Sequence, residues 1–369
     1  MTAVEPRPSG SVTKPLVASP FIASVVRANP AHYHSQEELS AGLQGLWSQY
    51  RSFNPARVNA LHSAVQVKGR HLAIPMADYP PLDTFTKRNE VWIREAVKLG
   101  AQAVRGAVEQ AGIKLQDIDV LVFTSITGLA TPSIDARLVN VLGLRPDVKR
   151  VPIFGLGCVA GVAGTARVSD LLRGYPNQTA VLLSVELCSL TIQRDDIAVS
   201  SIIAAGLFGD GAAAMVMRGG DVKGDGPHVL ATESVFYPQT EDVMGWDFLD
   251  TGFRVVLSTK VPEMVVENVR GNVDGFLSKH GLKRSDIKHW VAHTGGPKVL
   301  EAFEQALEVP RSALQRSWDS LSKVGNLSSA SVLYVLSDLL ESKVAKPGDL
   351  GLMMAMGPGF CAELVLLRW

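Results

Sequence analysis

The sequence predicts an α/β fold made of two similar halves, and three observations carry that prediction. Gly112-Ile-Lys-Leu-Gln-Asp117-Ile118 matches Gly281-Leu-Lys-Arg-Ser-Asp286-Ile287, 169 positions further on. Gly157-Cys158 aligns with Gly325-Asn326, and Ser169-Asp-Leu-Leu172 with Ser337-Asp-Leu-Leu340, in both cases 168 positions apart. Each copy of the first motif follows a helical pattern and precedes a β-rich apolar run, the alternation of a layered α/β fold. Self-similarity at a nearly fixed separation indicates duplication. The expected division is a tail over 1–20, a first half over 21–222 that carries Cys158, and a second half over 223–369 that carries His293 and Asn326, with the join near 219–226.

Taken in order, residues 21–26 read as a first strand. Residues 35–50 read as a helix capped by Ser35, with Glu38 three positions on completing a capping box. His32 and His34 fall in the loop between them, where two histidines without a third ligand make a solvated turn rather than a metal site. The periodicity of Val91, Ala96, Val97, Val104 and Val108 predicts a helix over 89–111, followed by a strand over 118–124. A short buried strand over 151–154 then meets Gly155 and Gly157, and Cys158 opens a helical pattern running to Leu172. A helix start favours a thiolate, so the Cys158 pKa is expected to fall below that of a free thiol. In the second half, the strand over 287–292 ends in His293-Thr-Gly-Gly-Pro297.

Bulk properties narrow the function. The chain has 369 residues, 46% of them hydrophobic, with 36 Lys+Arg against 36 Asp+Glu. Net neutrality without a basic run excludes the electrostatic footprint of a nucleic-acid binder, so small molecules are the expected partners. Three widely spaced cysteines, Cys158, Cys188 and Cys361, form neither a disulfide framework nor a metal cluster, which fits a reducing cytoplasm. The apolar stretch 202–217 is interrupted by Gly209-Asp210-Gly211, so no membrane span is expected.

Duplication places a thiol, an imidazole and a carboxamide at element ends that can converge on one cavity. A histidine can take the proton of Cys158, and an amide N–H₂ can pair with a developing enolate oxygen. Each residue also has an ordinary reading: Cys158 as buried packing, His293 as a core-margin histidine, Asn326 as a helix cap. A rival functional reading takes Gly155-x-Gly157-x-x-Ala160 as a dinucleotide turn with Glu186 on the ribose, as in an NAD-dependent oxidoreductase. The second half repeats the helix without those glycines, which weighs against that reading.

The motifs Gly155-Leu-Gly-Cys158, Leu207-Phe208-Gly-Asp-Gly211, His293-Thr-Gly-Gly-Pro297, Gly325-Asn326-Leu-Ser-Ser-Ala330 and Met356-Gly-Pro-Gly-Phe360 together resemble those of type III polyketide synthases. These relatives of chalcone and stilbene synthases belong to the thiolase-fold condensing enzymes. The resemblance implies a layered α/β/α/β/α homodimer that needs no cofactor and uses acyl-CoA and malonyl-CoA as substrates. It makes Cys158 the acyl-carrying nucleophile and His293 and Asn326 the decarboxylating pair. Phe208 becomes a gate, and Cys188, Thr191, Trp246, Val255, Ser328 and Thr131 become pocket residues. Arg57 corresponds to one CoA-binding cation, Ala60 and Ala64 replace two others, and Lys298 is a further candidate for the CoA phosphates. A carrier-protein-dependent ketoacyl synthase could use the same three groups, but the Phe208 and Met356 motifs favour the CoA branch. Trp246 and Val255, where plant enzymes keep Gly and Phe, suggest a narrow apolar channel for a long fatty acyl starter. An alkylpyrone or alkylresorcinol would then be the product. The alternative is a short or malonyl starter giving a small pyrone or tetrahydroxynaphthalene.

Overall fold

The computed structural model describes residues 19–50 and 53–369; most of the expected tail lies outside the described residues. In chain order the first half contains β1 (Phe21–Ala28), β2 (His32–Ser35), α1 (Gln36–Trp47), α2 (Pro55–Ala64), β3 (Gly69–Leu72), α3 (Phe85–Gln110), β4 (Val120–Thr124), α4 (Ile134–Leu142), β5 (Lys149–Ile153), α5 (Ala160–Gly174), β6 (Thr179–Leu187), α6 (Val199–Leu207) and β7 (Asp210–Arg218). Then follow β8 (His228–Phe236), β9 (Met244–Leu249), β10 (Gly252–Leu257), α7 (Val261–Ser278), β11 (Ile287–Ala292), α8 (Pro297–Leu307), α9 (Gln315–Val324), α10 (Ser331–Ser342), β12 (Leu350–Gly357) and β13 (Cys361–Arg368).

Duplication is written into the sheet. Its order is β11-β12-β13-β8-β1-β7-β6-β4-β5. Read outward from the middle, β1-β7-β6-β4 and β8-β13-β12-β11 repeat one pattern. β4 runs parallel to β6, and β6 antiparallel to β7, as β11 runs parallel to β12, and β12 antiparallel to β13. The two sets meet where Phe21 of β1 pairs with His228 of β8.

Alternation of side chains along these strands sets the layers. On the first half, Val120, Val122, Leu182 and Met215 face a core shared with α5 and α10, while Leu121, Phe123, Leu183 and Val216 face α3 and α4. In the second half, Met353, Ala355 and Val365 face the same shared core, and Leu352, Met354 and Leu364 face α7 and α8. The result is the layered, thiolase-like α/β/α/β/α arrangement. Full burial of each such Val, Leu or Met contributes roughly 1.5–3 kcal/mol, so the shared central layer is a principal source of cohesion between halves. Gly161 of α5 lets the helices touch there: a Cβ on it would lie 2.3 Å from the Ser329 carbonyl oxygen.

Local signals mostly match. Ser35 Oγ accepts from the Glu38 N–H at 3.2 Å and Glu38 returns a bond to the Ser35 N–H at 2.8 Å, forming the capping box at the start of α1. Two readings need correction. His32 and His34 lie on β2, paired with Leu72 and Arg70 of β3, rather than in a loop. The strand before Cys158 is only partly buried: β5 is an edge strand, Val151 and Ile153 pack against the core, and Phe154 is 50% exposed. An edge position covers only one flank of a strand, so apolar letters there do not imply full burial. Among the described residues, no helix is long and apolar enough to cross a membrane.

Candidate active site

Three chain turns bring the site together. After β5, Gly155 and Gly157 adopt positive φ and reverse the chain into a short 3-10 turn, Gly157–Val159, that runs on into α5 and holds Cys158. A Cβ on Gly157 would lie 3.0 Å from the Pro358 ring, so this turn packs directly on the Gly357-Pro358-Gly359 turn. His293 follows the last residue of β11, and its N–H continues the ladder to the Met354 carbonyl at 3.0 Å. Asn326 follows α9; its N–H donates to the Leu207 carbonyl at 2.9 Å and its own carbonyl accepts from the Gly209 N–H at 3.0 Å. Phe208 and Asn326 are thereby locked together as a parallel bridge.

Cys158, His293, Asn326 and Phe208 line one cavity of about 330 Å³, with Met356 and Phe360 closing it. The expected convergence is therefore present. Cys158 Sγ contacts Ser328 Oγ at 3.8 Å. Asn326 Oδ1 accepts from the Ser328 N–H at 2.8 Å and the Ser331 hydroxyl at 3.3 Å, leaving the N–H₂ as the group available to a ligand. Asn326 is therefore not a helix cap, since Leu327 precedes the 3-10 turn Ser328–Ala330 and Ala330 precedes α10; its Oδ1 holds the chain at Ser328 instead. Neither ring nitrogen of His293 has a partner among the described residues. A buried imidazole with both nitrogens unpaired is poised to receive a proton or a ligand oxygen.

Ionisation corrects one expectation. Burial pushes the Cys158 thiol up to about 12, a rise that hydrogen bonds from Ser328 and Asn326 only partly oppose. Burial also pushes the His293 imidazole down to about 3. The helix start does not outweigh loss of solvent around a lone thiolate. A thiolate formed here needs a proton acceptor inside the cavity, and His293, with both nitrogens unpaired, lines the same cavity.

Phe208 also borders two smaller spaces. One, about 40 Å³, lies among Cys188, Thr191, Trp246, Phe253 and Val255, so these pocket residues are gathered as expected. The other, about 150 Å³, is bounded by Leu39, Leu43, Met76, Tyr79 and Ile192. Ser328 is buried against the thiol, but Thr131 is exposed on the loop between β4 and α4 and lines none of these spaces. Lys298 lines the main cavity, as does Ala64; Arg57 is exposed one helical face-repeat ahead of Leu61, which lines it too. Met356 and Phe360 were legible only as a motif, and Met244, Leu257 and Ser258 carried no signal at all.

Glu186 cannot hold a ribose. It is fully buried, accepting from the Ile126 N–H at 3.1 Å, Thr127 Oγ1 at 2.9 Å, Ser125 Oγ at 3.2 Å and the Ser329 hydroxyl. That leaves the dinucleotide reading without its acidic partner.

Comparison with known proteins agrees with this geometry. The model for the N-terminal domain of chalcone and stilbene synthases matches residues 24–221, and that for the C-terminal domain matches residues 228–369. The chain is 49% identical over 351 residues to a 1,3,6,8-tetrahydroxynaphthalene synthase of Streptomyces peucetius subsp. caesius, covering 94% of this chain and 93% of that relative. It is 33% identical to a phloroglucinol synthase of Pseudomonas fluorescens, covering 92% and 96% of the two chains. Among solved structures, the 1,3,6,8-tetrahydroxynaphthalene synthase of Streptomyces coelicolor, a bacterial type III polyketide synthase, superposes with a TM-score of 0.89. Its identity is 32%, over 95% of this chain and 99% of that one. Matched along almost its whole length and carrying a thiol, an imidazole and a carboxamide around one cavity, the chain belongs to the chalcone and stilbene synthase family and is a type III polyketide synthase, an acyltransferase.

Proposed function

We propose that the enzyme primes and extends with malonyl-CoA, using Cys158, His293 and Asn326, and releases a small hydroxylated aromatic of the tetrahydroxynaphthalene class. The observation that carries this reading is the smaller of the two spaces that border Phe208, the one among Cys188, Thr191 and Val255. With Trp246 in its wall it holds only about 40 Å³, room for a few water-sized groups and not for a long alkyl chain. Similarity to the tetrahydroxynaphthalene synthase supports the same choice. This reading takes the place of the long-chain alkylpyrone or alkylresorcinol expectation because Trp246 and Phe253 leave little room beside Val255.

In this reading His293 takes the Cys158 proton, the thiolate attacks the thioester carbonyl, and CoA leaves as a thiol with the proton returned by the imidazolium. A malonyl-CoA then loses carbon dioxide, and the electron pair passes to its thioester oxygen as an enolate. The Asn326 N–H₂ and a His293 N–H donate to that oxygen. The enolate carbon attacks the Cys158 thioester and expels the thiolate, leaving a chain longer by two carbons on CoA. Lys298, and Arg57 on the face of α2 that continues from Leu61, hold the CoA phosphates. The protein acts as a cytoplasmic homodimer; its three free thiols suit a reducing compartment. Half-exposed Phe154, whose ring lies 6.5 Å from that of 61% exposed Phe248, supports a covered apolar face.

A second reading has one observation in its favour: the apolar space of about 150 Å³ across Phe208 could take a medium-length acyl starter. Starter chain length separates the two. Each methylene buried in an open channel contributes about 0.8 kcal/mol, nearly a fourfold gain in kcat/KM per carbon. We expect kcat/KM to fall steadily from acetyl-CoA to dodecanoyl-CoA and malonyl-CoA alone to be converted. A rise with length would establish the acyl-channel reading instead.

A further inference from the structure

Arg70, on β3, lies outside the catalytic cavity, is 2% exposed, and is used by none of the steps above. Its guanidinium donates to the Gly206 carbonyl at 2.7 Å, to the Ala205 carbonyl and to Gln36 Oε1. Gln36 Nε2 adds a bond of 2.9 Å to the Gly206 carbonyl. Ala205 and Gly206 form the last turn of α6, whose carbonyls have no partners within the helix. The next carbonyl, of Leu207, accepts from Asn326, and the next residue is Phe208. A cation at this end also meets the negative pole of the helix. Behind Phe208, Asp210 opposes the effect of burial on Arg70 and accepts from the Ala73 N–H at 2.6 Å and the Ser189 N–H at 2.8 Å, tying in the turn that carries Cys188.

We infer that Arg70 is a positioning residue for the condensation step: by clamping the final turn of α6 it fixes both Phe208 and the backbone of Asn326 against the cavity. Lysine cannot replace it, since an ammonium is a point charge and the planar fork spans both carbonyls. Displacements near 1 Å at a reacting centre can lower rates by as much as roughly 100-fold. Cys158 and His293 are held by other elements, so loading should be spared.

This inference rests on the roles proposed for Asn326 and Phe208, and its test separates the two. In Arg70→Lys, transfer of the acetyl group from acetyl-CoA to Cys158, with release of CoA, is measured by intact-protein mass spectrometry, and malonyl-CoA decarboxylation by carbon dioxide release. We expect wild-type loading and an unchanged acetyl-CoA KM, with kcat for decarboxylation down roughly 10-fold to 100-fold. Equal loss of both steps, or loss of neither, overturns the inference. Failure of the wild-type enzyme to decarboxylate malonyl-CoA would instead strike at the function proposed above. Should Arg70→Lys not fold, Gln36→Leu, which removes one bond from the same turn and one acceptor from Arg70, is expected to give the same split at about 5-fold. Parallel loss or no loss there overturns the inference equally.

Discussion

Alkylation of Cys158 by iodoacetamide is expected to be nearly independent of pH between about 6 and 9 in the wild-type enzyme and to become steeply pH-dependent in His293→Ala. With burial holding the thiol near 12 and the imidazole near 3, the pair keeps one proton throughout that range. How the proton divides between sulfur and nitrogen is an internal equilibrium that solution pH does not move. Without the imidazole, a thiolate forms only by losing its proton to solvent, so the rate rises about tenfold per pH unit up to the thiol pKa. At pH 7 the loss should be about 10²- to 10⁴-fold, the usual worth of a positioned base. Tryptic peptide mapping would follow the reaction at Cys158 apart from Cys188 and Cys361. Parallel pH profiles in the two proteins would remove His293 from the activation of the thiol.

The second large effect is expected at Asn326. Its two ends do different things, so two variants are needed. Asn326→Ala deletes both the Oδ1 acceptor of the Ser328 N–H and the donor amide, which should lower stability by about 1 kcal/mol through the lost buried hydrogen bond. Asn326→Asp keeps the acceptor and puts a carboxylate oxygen in place of the donor, adding a negative charge that also opposes the enolate. Both variants should still load Cys158, and both should lose malonyl-CoA decarboxylation by about 10²–10³-fold, as expected for a missing oxyanion donor. Loss in Asn326→Ala with normal rates in Asn326→Asp would confine the residue to holding the backbone at Ser328. Thermal unfolding of the two variants separates the stability effect from the chemical one.

What could be read from the letters alone follows from where information is local. The duplicated Gly–Asp–Ile motif specifies a turn between a helix and a strand, and both copies form 3-10 turns, Leu115–Asp117 and Arg284–Asp286, ahead of equivalent strands. Cys158, His293 and Asn326 each sit where glycine-marked turns end an element, so their convergence followed from symmetry. Burial around them was less legible. The α5 start suggested an acidic thiol, but its pKa is set first by burial, and the groups acting on it, Ser328, Glu186 and Asn326, come from distant parts of the chain. The β5 error has the same origin, since strand letters do not reveal which flank lacks a neighbour. Trp246 was read as one wall of a channel, and nothing in the letters showed that Phe253 packs edge-on against it at 5.8 Å. Arg70 gave no signal, because a lone arginine on a short strand looks like a solvated charge until its carbonyl partners, more than a hundred residues away, are in place.

The most direct test of the central claim is intact-protein mass spectrometry after incubation with malonyl-CoA as the only acyl donor, followed by peptide mapping and product analysis. The account predicts an acyl adduct on Cys158 alone, free CoA and a small aromatic product, all absent in Cys158→Ala, while carbon dioxide is released by both proteins because decarboxylation rests on His293 and Asn326. An adduct on another residue, or product formation that persists in Cys158→Ala, would contradict it.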